Sequence, residues 1–521
     1  MHLVECCESL RWRKSGAPVR RRQMVALEGL GTSEAVGAFS NTIHNCLAAI
    51  VGRVLYRKIE GKYWSLRSLL PESGIFNIEL KSFKRVLTPL LPNAAPIALD
   101  SFPGLYVGRK RKVYEQALQA YKDRGFIIRD THIRMFLKYE KDIVDLKPDR
   151  IPRVISPAGF VYLLLVGVYL KACEEKIYHA INELFGYKVV AKGVNYSDLG
   201  NMYNDSWSSF KDPASIDLDV EKLDASICQE ALQWVFEVIG SCFSGNEKHT
   251  IMKLLSYQLQ SIVKGRADDG WFSYKVKGTL TSGQMNTSLT GVLLVCAILY
   301  KVTRKHNLRL INCGDDCTLV GERRQMKGLE VYLHKRFKKF GMVITCSSIN
   351  RTMEKIQFCQ TQPLWINGSV RAVRCLHGAL TKDAVSLDKL EQPHRIAAWC
   401  RSVGLGGIAT HGGVPILQNF YRMYIRSYNL FMENAILSKR QKKRMDRLVI
   451  METATWANWG KPMTEVFSPP DDRTRLSFES AFGVTPTDQL LLEDFYDNFT
   501  VSFDKPKDRD MVPNNLSLFL L

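Results

Sequence analysis

No pair of the thirteen cysteines stands at the two-residue gap of a zinc site, which argues against a structural zinc knuckle. They are scattered singly apart from Cys6-Cys7, and several, such as Cys296 and Cys313, lie in apolar runs where reduced buried thiols are expected. Long hydrophobic runs are also missing. The longest, Gly159 to Leu170 and Gly291 to Tyr300, are too short to span a bilayer and read as core helices, so no intrinsic transmembrane segment is predicted. Arg11, Arg13 and Lys14 precede no apolar stretch of signal-peptide length. There is no internal repeat and no low-complexity tract, which excludes solenoids and disorder as the main state. Acid is scarce relative to base: 52 Asp plus Glu face 72 Lys plus Arg, a net charge of +20. That balance predicts a polyanionic partner. The positive charge gathers in Arg11 to Arg22, Arg109 to Lys112, Lys335 to Lys339 and Lys439 to Arg447, a spread that suits a folded channel better than a disordered arm.

What is present is a chain of 521 residues, 46% hydrophobic, able to bury a large core. Residues 1–40 read as a basic, loosely ordered extension. Apolar spacing predicts a helix over 41–58, and 112–124 reads as a helix stopped by Gly125. A β-branched run between prolines at 151–157 reads as a strand, with an apolar helix after it. Then come a strand at 215–220, a helix at 225–243, a buried helix at 289–302, a hairpin at 309–320, a basic helix at 330–340 and two strands at 355–374. Beyond about residue 392 the pattern is mostly helical, and an apolar run closes the chain at 516–521. Strand, helix, helix, hairpin, helix describes an α+β unit with an antiparallel sheet.

Gly314-Asp315-Asp316 lies between two short apolar runs, and Asp219 and Asp224 stand upstream. Two carboxylates at a hairpin tip facing a third at a strand end are what two-metal phosphoryl transfer requires. The tripeptide alone would turn up by chance in roughly one chain of this length in ten, so its surroundings carry the case. Asp219 ends a strand and Asp224 begins the next helix. Two Mg²⁺ (or Mn²⁺) ions held by Asp219 and Asp315, with Asp316 as helper or outer ligand, would activate a 3′-hydroxyl and steady departing pyrophosphate. The run Gly278 to Thr287 is a glycine- and hydroxyl-rich loop entering a buried helix, able to approach a sugar-phosphate backbone closely. Lys138, Lys141, Arg150 and Arg153 frame a strand and could neutralise a triphosphate.

The order of these pieces resembles the motif series of viral RNA-dependent RNA polymerases, and within them the tombusvirus and carmovirus group. Phe136-Leu-Lys-Tyr-Glu-Lys141 and Pro152-Arg-Val-Ile-Ser-Pro157 are similar to that group's basic fingers motif. Lys192-Gly193 matches the lead-in to its first acidic motif, and Ser282-Gly-Gln-Met-Asn-Thr287 its ribose-side loop. Glu354-Lys-Ile-Gln-Phe-Cys-Gln-Thr361 resembles its primer-grip hairpin, and Gly413-Val-Pro-Ile-Leu-Gln418 its thumb. Tyr106 to Lys110 and His44-Asn45 extend the similarity, which covers roughly residues 40 to 430.

The resemblance implies a right hand of fingers, palm and thumb with an antiparallel palm sheet, closed by the fingers. It divides the chain into fingers at 41–214, palm at 215–375 with a fingers segment at about 244–278, and thumb and tail at 376–521. It implies that Asp219, Asp315 and Asp316 handle the metals, and that Asp224 with Ser282, Asn286 and Thr287 binds the nucleotide and its ribose. Lys138, Lys141, Arg150 and Arg153 would hold the triphosphate, and Phe358, Cys359 and Gln360 would brace the primer 3′ end. Expected partners are RNA template and product, NTPs, viral replication proteins and a membrane-bound replication complex in the host cytoplasm. Two departures stand out: Gly291 occupies the place of an asparagine that helps sense the sugar, and Thr345 falls near the lysine that protonates pyrophosphate. The first acidic motif is also unusual, with Val220 to Leu223 where relatives carry a Ser-Arg-aromatic stretch. A reverse transcriptase would carry a bulky aromatic in place of Asp224, a nuclease would need a further acid or histidine cluster, and a non-catalytic scaffold would have lost one of the three metal acids.

Overall fold

The computed structural model describes residues 8–20, 24–27, 29–30, 36–59, 62–65, 70–143, 150–388, 390, 392–447 and 467–503. The expected apolar run at 516–521 lies outside the described residues. Two sheets position the site. Their strands are β1 (Glu8–Lys14), β2 (Ile133–Leu137), β3 (Val154–Ile155), β4 (Pro213–Val220), β5 (Gln260–Ala267), β6 (Gly270–Lys277), β7 (Arg309–Asn312), β8 (Asp316–Glu322) and β9 (Ile344–Cys346).

The five-stranded sheet has the order β1-β6-β5-β2-β3. Along β2 its alternation is strict: Ile133, Met135 and Leu137 are buried while Arg134 and Phe136 are exposed, as period-two patterning requires of a half-buried sheet. The segment expected to be a loose extension supplies β1, which pairs antiparallel with β6, Arg11 opposite Ser273 and Arg13 opposite Trp271. Basic composition concealed the strand, because an edge strand with one solvent face needs few apolar residues.

The four-stranded sheet is antiparallel throughout, in the order β7-β8-β4-β9. Behind it runs the helix Thr287–His306, whose apolar residues are almost all buried in the main core with the helices Phe160–Phe185 and Gln229–Gly240. Thr287–His306 is long and apolar enough to cross a membrane by length and composition, yet 78% of its apolar window is buried inside the protein. Two other boundaries moved. The helix beginning at Ile43 passes into a wide turn over Ile50–Leu55 and then a strand at Tyr56, so it stops short of Lys58. The helix expected over 225–243 is broken: one turn spans Leu223–Ser226, and a longer helix begins at Gln229. Ile227 in the break accepts from Thr279 N at 2.7 Å, so an incoming loop takes the place of a helical bond.

A second core gathers around the helices Pro393–His411 and Leu417–Asn434 with the hairpin Thr361–Ile366/Ser369–Arg374. Lys141, in the basic segment that follows β2, donates to the carbonyls of Lys382 at 2.5 Å and Val385 at 2.8 Å, tying that segment to this second core.

Candidate active site

Asp219 lies directly opposite Asp316 across the β4/β8 pair. Like charges placed opposite each other on adjacent strands repel, so the sheet builds a charge conflict at this one rung. The Gly314 turn adds a third acid. Cys313 N donates to Asp316 O at 3.0 Å, leaving Gly314 and Asp315 as the two central residues of the hairpin. Gly314 has φ 103°, at the position that a two-residue hairpin turn reserves for glycine. A Cβ there would meet no heavy atom within 4 Å, so backbone conformation rather than space demands the glycine. Asn312, fully buried, fixes the turn from within by accepting from Gly314 N at 3.0 Å through its Oδ1. Val220 N donates to Asp315 O at 3.0 Å, stitching the turn to the end of β4.

Lys222, between the two upstream acids, sits in the left-handed region at φ 49°. That reversal returns the chain over the sheet and brings Asp224 near Asp315. The result is electrostatic: burial first, then the Asp315 charge, push the Asp224 carboxyl up to about 7, while Arg153 pulls the other way. Asp316 is pushed up to about 6 by burial and by Asp315 and Asp219. Acids this crowded are stable either protonated or beside a cation. Asp219, Asp315 and Asp316 therefore fit a divalent ion. Among the described residues no three of His, Cys, Asp and Glu close into a preformed cage, which suits Mg²⁺, whose shell is commonly completed by water and substrate phosphates.

The loop Gly278 to Asn286 is pinned on both sides. Leu280 N donates to Asp224 O at 2.9 Å, and Ser282 O accepts from Ser156 N at 2.6 Å, so the loop bridges Asp224 and the end of β3. Gly283 has φ 111°, and a Cβ there would come within 3.1 Å of Pro157 N, so conformation and close approach both require glycine. Ser282 remains half-buried at the site. Two residues expected beside it are placed differently. The Thr287 hydroxyl donates within the loop, to Gln284 O at 3.1 Å, because it opens the helix and serves its first turn. Asn286 is fully buried, with its Nδ2 donating to Thr290 Oγ1 at 3.3 Å. Gly291 faces the centre of the constellation: a Cβ there would lie 3.3 Å from Leu223 Cδ2 and 3.5 Å from Gly314 Cα.

The four expected cations do not stand free. Lys138 and Arg153 share Glu140, at 2.8 and 3.3 Å. Arg150 is paired with Asp142, and Lys141 is bound to the two carbonyls described above. Arg153 stays more than half exposed at 56% of its side chain, and its charge is felt at Asp224. On the opposite side, Phe358 is buried while Cys359 and Gln360 form a tight turn, both in the left-handed region at φ 51° and 59°. Phe358 and Thr361 close that turn with reciprocal backbone hydrogen bonds of 3.0 and 2.9 Å. The Cys359 thiol, its acidity suppressed by Cys313, burial and Asp316, lies against both Cys313 and Asp316. Thr345, beside the expected lysine position, is opposite Asp219 on the β9 side.

Asp217 was missed from sequence. Two residues before Asp219, it is buried and accepts from Thr318 Oγ1, Asn350 Nδ2 and Gln357 N, each at 2.9 Å. Burial pushes it up to about 6 while those three donors oppose the shift. It ties β4 and β8 to the segment that leads into the Cys359 turn. The Asp217-Leu218-Asp219 alternation on a strand could have signalled it, since both acids fall on one face.

Comparison with known proteins agrees with this geometry. A family model described as viral RNA dependent RNA polymerase matches residues 9–504. The chain is 31% identical to an RNA-directed RNA polymerase of oat chlorotic stunt virus over 95% of its own length and 66% of that relative. The corresponding protein of tobacco necrosis virus strain A is 30% identical over 96% of this chain and 66% of its own length. That of turnip crinkle virus is 31% identical, with 92% and 60% covered. The chain thus spans less than two thirds of the length of the curated relatives it matches. Spanning nearly all of this sequence and both sheets around the acidic turn, the match establishes that the chain belongs to the viral RNA-dependent RNA polymerase family.

Proposed function

We propose that the chain is an RNA-templated RNA polymerase, adding NTP-derived nucleotides to the 3′ end of a growing strand in the replication of a positive-strand RNA virus. The observation that carries this reading is the Asp219–Asp316 rung with the Gly314 turn beside Asp224. The four-stranded sheet is the palm in this reading, the five-stranded sheet belongs to the fingers, and the second core is the thumb. Asp219, Asp315 and Asp316 would hold Mg²⁺ or Mn²⁺, which would supply a Lewis acid for the phosphoryl oxygens and lower the pKa of the attacking hydroxyl. The protein's part is positioning: Arg153 attracts the triphosphate, Asp224 and Ser282 face the ribose, and the Cys359–Gln360 turn supports the primer end.

Asp at 224 is small and polar, which favours an acceptor for a 2′-hydroxyl over exclusion of it. The host cytoplasm, viral replication proteins and a membrane-bound replication complex are the setting this function calls for. Template-dependent incorporation by purified protein with Mg²⁺ or Mn²⁺ tests the proposal. Synthesis from NTPs on RNA supports it. Binding of RNA without any incorporation, under conditions where both metals are supplied, overturns it in favour of a non-catalytic scaffold, and preference for dNTPs overturns the role given to Asp224.

A further inference from the structure

The outward face of the five-stranded sheet has a composition that packing does not explain. Register puts Arg11 beside Ser273 and Arg13 beside Trp271, and Arg266 also faces Trp271, while Arg134 and Lys264 are partners across the parallel β2/β5 pair. All five cations are exposed, and among the described residues none of them forms an ion pair. Two large aromatics stand among them on the same face, Trp271 at 45% and Phe136 at 43% exposure. Part of this face is hollowed into a cleft of about 770 Å³ that includes Arg134, Lys264, Arg266 and Trp271. The face is continuous with the site: Phe136 is opposite Ile155 on β3, and the next residue, Ser156, bonds the Ser282 loop.

We propose that this face is a single-stranded RNA platform, on which bases stack on Trp271 and Phe136 while the cations track the phosphates toward the Ser282 loop. Unpaired cations interleaved with exposed aromatics are what sequence-tolerant single-strand binding uses. Charge complementarity selects the polyanion, and the aromatics select unpaired bases over a duplex, whose bases are already stacked. From β1 to β3 the sheet is four inter-strand steps wide, about 19 Å, room for about six stacked nucleotides at the rise of one strand. The segment expected to be a basic, loosely ordered extension would thus be the far end of the track.

The platform rests on the polymerase reading for its role in copying, but its affinity for RNA is measured separately. Anisotropy of a labelled oligouridylate should show roughly tenfold weaker binding for Trp271→Ala, with most affinity kept by Trp271→Phe, which preserves a stacking face. The double variant Arg11→Ala/Arg13→Ala should make the log–log salt dependence shallower by about 1.4. Both should extend a primed template whose single-stranded overhang is only one or two nucleotides at the wild-type rate and lose rate on one with a long overhang. Unchanged affinity and salt dependence in both variants overturns the platform, as does loss of binding to phosphatidylserine vesicles with RNA binding intact. If wild-type protein copies no template at all, the polymerase reading falls while the anisotropy result still decides the platform.

Discussion

The acids of the four-stranded sheet and the cations Lys138, Lys141, Arg150 and Arg153 beside β2 and β3 are handled in opposite ways. Asp219, Asp315, Asp316 and Asp224 are crowded together, and two of them, Asp316 and Asp224, are pushed up to about 6 and 7 by burial first and then by neighbouring acids. Lys138, Arg150 and Arg153 are each matched to Glu140 or Asp142, and Lys141 to backbone carbonyls. One region stores a charge conflict that an added ion relieves; the other is neutralised in advance and keeps a half-exposed Arg153 pointed toward the conflict. A site that awaits cations from outside gains by holding its own cations in place.

The sharpest way to break the contrast is at its acidic end. Asp315→Ala is expected to lower incorporation by on the order of 10³-fold, the equivalent of several kcal/mol of lost charge stabilisation, with RNA binding retained in an anisotropy assay. Equal incorporation would remove Asp315 from the metal site.

Proton linkage gives the next effect. Asp316 has a folded pKa of about 6, above the 3.8 of a free aspartate, so it binds its proton more tightly when folded. Its contribution to stability is present at low pH and is lost as pH rises from about 4 through about 6. Without metal, the thermal midpoint of wild type relative to Asp316→Asn should fall across that window, and Mg²⁺ should recover it at pH 7. The Mg²⁺ needed for half-maximal synthesis should rise as pH drops below about 7, where Asp224 also takes up its proton. A flat difference curve would mean that neither burial nor the neighbouring acids raise Asp316.

On the basic side, Lys141→Met removes two hydrogen bonds from a charged donor and is expected to cost about 2 kcal/mol of stability, read by denaturant midpoint. Arg153→Ala should leave that midpoint near wild type, because an exposed pair contributes little, and instead raise the KM for NTP. The reverse result would exchange their roles. The smallest effect is expected from Gly291→Asn. Its Cβ needs only a slight shift of the flexible Leu223 end, so the variant should fold and sharpen NTP over dNTP choice by a few-fold, as measured by the ratio of kcat/KM values.

Much of this was legible in the chain. The Gly314 turn and Asp219 are readable because a hairpin turn and a strand end have local signatures, and Gly291 stands out in the sequence as a departure while its place against Gly314 belongs to the fold. The residues that could not be read are those whose meaning is tertiary. Lys141 looks like any cation until Lys382 and Val385 arrive from some 240 positions away, and Asp217 looks like a neighbour of Asp219 until Asn350 and Gln357 converge on it. Strand β1 hid because its alternation is short, Leu10 and Trp12 against Arg11 and Arg13, within a basic stretch. Thr287 adds a local detail: its type suits a sugar contact, and its place at a helix start also gives its hydroxyl a bond to Gln284 O.

The Cys359–Gln360 turn has a consequence for how such a chain would change under selection. Two successive residues with side chains are held where glycine is at ease, each at a cost of about 1 kcal/mol or more. Gln360→Gly would relieve one of them, so selection for heat resistance alone should find it. The same exchange would slacken the neighbour of Asp316, and a lineage that kept the strain would be one in which copying mattered more than endurance.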